Sequence, residues 1–202
     1  MLTSSALLPP SRKGRRYERK ALRIRSFAGV KLSERLDPYL LARCARLHVI
    51  SLDDVQNLSA EVRAQLLEAD PGSWSGGASQ PLPDGSRLVI LNPTHGPERR
   101  AVTLMEEVCH IFLGHNPNRL DVPVQGAKAS FRDYNRADEE EAYAVGAAAL
   151  LPYHVLRLAL ERNWPVEEIA QRYGVSRRLV EYRLQVSKLW VAYRDRPTTL
   201  VE

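Results

Sequence analysis

The sequence predicts an α+β fold in which helices surround a small sheet, followed by a helix-turn-helix-like segment. Three observations predict it. Residues 87–91, R-L-V-I-L, form the clearest strand and are closed by Asn92-Pro93. Two apolar runs with helical spacing follow, at 103–113 and 137–151. The last quarter then holds two short amphipathic segments on either side of Gly174-Val175-Ser176. A chain of 202 residues can carry one domain with a substantial core and a small appended module. The expected division is a basic, disordered tail over 1–25, the mixed domain over 26–153 and the helical segment over 154–202.

Taken in order, Leu36-Asp37-Pro38 introduces a helix with apolar residues at Tyr39, Leu40, Leu41, Cys44 and Leu47. Residues 49–52 then read as a short strand. Ser59 is placed to cap a helix running to about Ala69, where Asp70-Pro71-Gly72 stops it. Residues 74–77 read as a loop or strand edge, and 80–84 are rich in turn formers. The helix at 103–113 ends at Gly114, with His115 just beyond. Two prolines, Gly126 and many polar residues make 116–136 a long loop. The helix from 137 is rich in alanine, which suits close packing. Near the end, Pro165 starts a helix to Tyr173, and Ser176 can cap another over 177–186. Ala170 falls at the close-packing point, Gly174 in the turn, and Val180 and Leu184 on the inner face.

Composition excludes some classes. Hydrophobic content of 44% with 26% charged residues is ordinary for a globular protein, and no apolar run reaches the roughly 18 residues that suggest a membrane helix. Two cysteines without a C-x-x-C pair indicate neither a disulfide framework nor a cysteine zinc module. Cys109 reads as a small core residue. A cytoplasmic location is the expectation. The formal charge of +5 is uneven: residues 1–25 contribute +7 and the rest −2. The tail therefore carries the basicity, and a solvated arm accounts for it more readily than a nucleic-acid contact.

Residues 105–115 read M-E-E-V-C-H-I-F-L-G-H. This is the H-E-x-x-H arrangement of zinc peptidases with Glu106 in place of the first histidine. Helical residues four apart share a face, so Glu106 and His110 can both reach one ion while Glu107 serves as base for a bound water. A second acidic cluster at 138–141 offers a further ligand, Glu141. Two carboxylates and one neutral imidazole cancel the charge of a divalent ion. That lowers its Lewis acidity, and manganese or iron joins zinc as a suitable metal. His115 is the alternative ligand if Gly114 bends the chain; an unbroken helix would turn it about 140° from His110.

These residues resemble the ImmA/IrrE family of metallo-endopeptidases, which have a zincin-like fold, over about 36–184. The matching features are Trp74-Ser75, the strand into Asn92-Pro93, Thr103-Leu104-x-x-Glu107-x-x-His110, Leu113-Gly114-His115, and Glu141-Ala142 followed by Ala148-x-Leu150-Leu151-Pro152. The resemblance implies Glu107 as catalytic base and His110 and Glu141 as ligands of zinc. It also implies cleavage of a transcriptional repressor or antitoxin-like partner, or a regulatory role in which the scaffold binds a repressor or DNA without turnover. Glu106 departs from the pattern at the first ligand. In many zincins a strand beside the cleft holds an extended substrate, a role that would fall on Val89, Ile90, Leu91 and Asn92; a core strand with no substrate contact accounts for the same residues at least as well. Arg177, Arg178 and Arg183 are the candidate nucleic-acid contacts, although the mixed charge of their segment favours protein docking over DNA.

Overall fold

The computed structural model describes residues 8–55, 59–79, 81–115, 118–124, 127–133 and 135–196. The chain divides into two compact units, one formed by 42–143 and the other by 1–41 with 144–202. The helix expected from Pro38 is α2 (Pro38–Cys44).

In the unit of 42–143, strands β1 (Leu47–Ile50), β2 (Gly76–Ala78) and β3 (Arg87–Leu91) make a sheet of order β1-β3-β2. β1 is parallel to β3, with Val49 beside Val89, and β2 is antiparallel, with Gly77 opposite Ile90. A parallel pair needs a crossover. Part of it is α3 (Ala60–Ala64), capped by Ser59, whose side chain accepts from the Val62 N–H; the chain continues as a wider turn over Gln65–Ala69. Helix α4 (Pro97–Leu113) packs on β2 and β3. It begins earlier than the periodicity indicates because Pro97 occupies its first turn, where the missing N–H costs nothing.

The segment expected as a long loop differs. It contains two paired antiparallel strands, β4 (Asn118–Val124) and β5 (Ala127–Asp133), with Leu120 beside Phe131. Alternation of apolar and polar residues at 120–124 is the signal that its prolines obscured.

The other unit is helical. It contains α1 (Arg12–Phe27), the last part of α5 (Arg136–Leu150), α6 (Tyr153–Glu161), α7 (Val166–Tyr173), α8 (Arg177–Val186) and α9 (Trp190–Arg194). The disordered tail expected over 1–25 is corrected at its second half, because 12–27 is a helix capped by Ser11. Net charge concealed its amphipathicity: Ala21 and Ile24 are buried, while Arg12, Lys13, Arg16, Arg19 and Arg23 are exposed on the other side. Glu18 and Arg25 are also buried. Glu18 accepts from the Tyr153 N–H and pairs with Arg183 at 2.8 Å, and Arg25 donates to the carbonyls of Ala149, Lys31 and Glu34.

Helices α7 and α8 confirm the helix-turn-helix pattern. Gly174 takes the left-handed conformation (φ 63°) that ends α7, and the Ser176 side chain accepts from the Leu179 N–H to start α8. Ile169, Val180 and Leu184 are buried. Among the described residues no single helix is long and apolar enough to cross a membrane. The bent pair α5 and α6 meets the length and composition of a span, but most of its apolar residues belong to the protein core.

Candidate metal and catalytic site

Two helices of the 42–143 unit supply the site: α4 carries Glu106, Glu107 and His110, and the first turns of α5 carry Asp138, Glu139 and Glu141. The fold of α4 into the core is decided by Leu104, Met105, Val108 and Cys109, all fully buried. Cys109 therefore packs, and burial pushes its thiol far above its ordinary range, followed by the charge of Glu106. That leaves His110, itself 3% exposed, at the edge of the apolar stripe.

Gly114 brings His115 into the same group. Its left-handed backbone (φ 70°) ends α4, and the His115 N–H donates back to the His110 carbonyl at 2.9 Å. The turn reverses the divergence an unbroken helix would impose. His115 Nδ1 then lies 3.0 Å from His110 Nδ1, and His115 Nε2 lies 3.4 Å from Glu141 Oε2. On the other side, His110 Nε2 faces Glu139 Oε1 at 3.6 Å, and Asp138 Oδ1 is 3.8 Å from His115 Nε2. The order of groups is Glu139, His110, His115, Glu141.

The contacts among these groups join the imidazole nitrogens to one another and to carboxylate oxygens. Imidazoles and carboxylates are donor types that bind a divalent metal. His115 turns its two nitrogens to different partners, however, and among the described residues no three donors are gathered on one point. Holding one ion with His110, His115 and Glu141 together calls for an imidazole to turn.

Burial, and then the charges of Glu139 and Glu107, push the Glu106 carboxyl up to about 7. Glu107 is half-buried and shares a helix face with His110 three residues on. The sequence motif did not single out Glu139, although its place in the acidic run was the available signal.

Two other assignments change. β3 is the central strand, hydrogen-bonded on both sides, so a substrate cannot add to Val89, Ile90, Leu91 and Asn92 as a further strand. Val89 and Leu91 are buried. Asn92 is wholly buried and structural: its amide donates to the Pro71 and Trp74 carbonyls, and its oxygen accepts from the Thr94 N–H and hydroxyl. Arg183 likewise cannot reach nucleic acid, being 4% exposed and committed to Glu18 and the Leu151 carbonyl. Arg177 pairs with Glu167 at 2.9 Å on the surface. Arg178 is exposed.

A mixed sheet backed by a helix that carries glutamate and histidine three apart, with acidic residues entering from a second helix, defines a zincin-like α+β protein. The chain belongs to the peptidase M78 family, whose model, described as the IrrE N-terminal-like domain, matches residues 60–185. That family is one of metallopeptidases and of regulators of the IrrE type. No curated protein matches the chain. Among solved structures, a Mycobacterium tuberculosis transcriptional regulator is similar over 91% of this chain at 15% identity, with a TM-score of 0.48. The chain spans 48% of that protein's length.

Proposed function

We propose that this protein is a metal-dependent endopeptidase that cleaves a repressor-like protein partner, with zinc as the metal and manganese or iron as substitutes. The observation that carries this reading is the approach of His115 to His110 and Glu141, which returns to the site the second imidazole that Glu106 removes. His110, His115 and Glu141 would hold the ion. A divalent metal there supplies Lewis acidity for attack of water on a peptide carbonyl.

The chain's own residues do the rest. Glu107 takes the proton of the attacking water and returns it to the departing amine, as a carboxylate one helix turn from His110 can. Glu139 faces His110 Nε2 at 3.6 Å and Asp138 faces His115 Nε2 at 3.8 Å, and the charge of these carboxylates would bias which nitrogen carries a proton. Glu106, whose carboxyl is raised by burial and then by the charges of Glu139 and Glu107, is left out of the ligand set; a bound cation would draw it toward its ionised form. The test is cleavage of a repressor-type partner by zinc-loaded protein, read as new N-termini. Glu107→Gln should retain metal and lose at least about 100-fold in rate; cleavage at the wild-type rate would refute the assignment.

The serial arrangement of the donors favours a second reading, in which the scaffold binds its repressor or DNA target without turnover. Arg178 is then the residue of α8 best placed for a phosphate, given the commitments of Arg183 and Arg177. Salt-insensitive binding of the partner by both wild type and Glu107→Gln, with no new N-termini, would select protein docking without catalysis.

A further inference from the structure

The three-stranded sheet has two faces, and only one is filled by α4. Side chains alternate along β3: Val89 and Leu91 are buried, whereas Leu88 and Ile90 lie half-buried on the other side. Register extends that second face across the sheet, since Ile50 of β1 is beside Ile90 and Gly77 of β2 is opposite it. The glycines mark the difference between the faces. A Cβ at Gly76 would come within 2.7 Å of the Thr103 methyl on α4, while one at Gly77 would meet nothing within 4 Å among the described residues.

The open face is the floor of a cavity of about 700 Å³. Leu52, Val55 and Leu66 form its sides with Trp74, whose indole N–H is already satisfied by the Leu66 carbonyl at 3.0 Å. Trp74 thus offers apolar ring surface. Pockets for small ligands span roughly 300–1,000 Å³ and are mostly apolar with a few polar groups, and this cavity meets both conditions.

Its charge narrows the ligand further. Among the described residues of the lining there is no lysine, arginine or histidine, and Asp54 is the sole ionisable group. One Asp54 oxygen accepts from the Ser51 N–H at 3.1 Å, which orients the carboxylate. An anionic headgroup would find repulsion and no counter-charge. We infer that this cavity, on the sheet face turned away from α4, binds an uncharged and mainly apolar small molecule. The site is separate from the His110 and Glu141 cluster and stands whether or not that cluster is a peptidase centre.

The experiment is a fluorescence titration of the full chain with N-phenyl-1-naphthylamine, a neutral apolar probe, and with the anionic 1-anilinonaphthalene-8-sulfonate. Two variants fill the cavity, Gly77→Leu and Leu88→Trp, each checked for an unchanged melting temperature so that either alone suffices. The expected result is saturable one-to-one binding of the neutral probe, about tenfold or more weaker in the filled variants, with the anionic probe about tenfold weaker than the neutral one in the wild type. Asp54→Asn should narrow that second gap. Absence of saturable binding, or equal binding by the filled variants, would overturn the inference. So would a wild-type dimer that Gly77→Leu disperses, since the face would then belong to a second copy.

Discussion

Two groups of buried charge in this protein are built on opposite plans. In the helical unit, Glu18, Arg183 and Arg25 form a set of paired charges: the carboxylate has a guanidinium and a backbone N–H, and the arginines end on the carbonyls of Leu151, Ala149 and Glu34, with Arg25 Nε alone of their buried nitrogens lacking a partner among the described residues. Burial pushes the Glu18 carboxyl upward, and Arg183, Tyr153 and Arg25 act against that push. In the other unit, Glu106 is moved by burial and then by the charges of Glu139 and Glu107, all in one direction. Opposite charges paired in the interior hold one fold together, whereas carboxyls gathered around a buried one favour a proton or a cation beside it. Burial of charged residues alone therefore does not mark a functional site; the balance of charge around them is the better guide.

The contrast can be broken most forcefully at Arg183. Arg183→Ala leaves Glu18 buried without its main partner and should cost about 3–5 kcal/mol in denaturant unfolding. Replacing both residues with leucine should recover much of that loss, because two apolar side chains leave no uncompensated charge. A loss below about 1 kcal/mol for the single variant would mean that water or another group compensates Glu18.

The carboxylate cluster around Glu106 should behave in the opposite sense. The folded pKa of Glu106 lies above the ordinary 4.5 of a glutamate, at about 7, so ionising it opposes folding. Its relative contribution is fully present below about pH 4.5 and is lost as pH rises through about 7. Metal-free Glu106→Gln should accordingly be more stable than wild type at pH 8, by about 1–3 kcal/mol, and the difference should vanish below pH 4.5. Equal stabilities at both pH values would show that neither burial nor the neighbouring carboxylates raise the Glu106 carboxyl.

Gly114→Ala gives a smaller effect on folding. A left-handed alanine costs about 1–2 kcal/mol, but relief of that strain would swing His115 away from His110. Metal affinity should therefore fall further than stability does. A variant with wild-type metal affinity would place the second imidazole elsewhere.

Legibility differed between the same two regions. The helix-turn-helix was readable because Pro165, Gly174 and Ser176 act locally, each on the turn where it stands. α4 was readable from its apolar stripe, but its start at Pro97 was not, since polar residues 98–100 interrupt the pattern. In the basic N-terminal helix, charge concealed a face that is buried only because Arg183 and Tyr153 lie far along the chain. Glu107, His110 and Glu141 were legible as a motif. The contribution of His115 depended on one backbone angle at Gly114, and the central position of β3 depended on pairing with β1 and β2, neither of which residue spacing encodes.

Metal content of protein purified without added metal tests the central claim most directly, measured for wild type beside Glu106→Ala, His115→Ala and Glu141→Ala. The account predicts near one equivalent in the wild type and in Glu106→Ala, with loss in His115→Ala and Glu141→Ala. Metal that survives His115→Ala but leaves with Glu106, or a wild type that takes up none after zinc reconstitution, would contradict it.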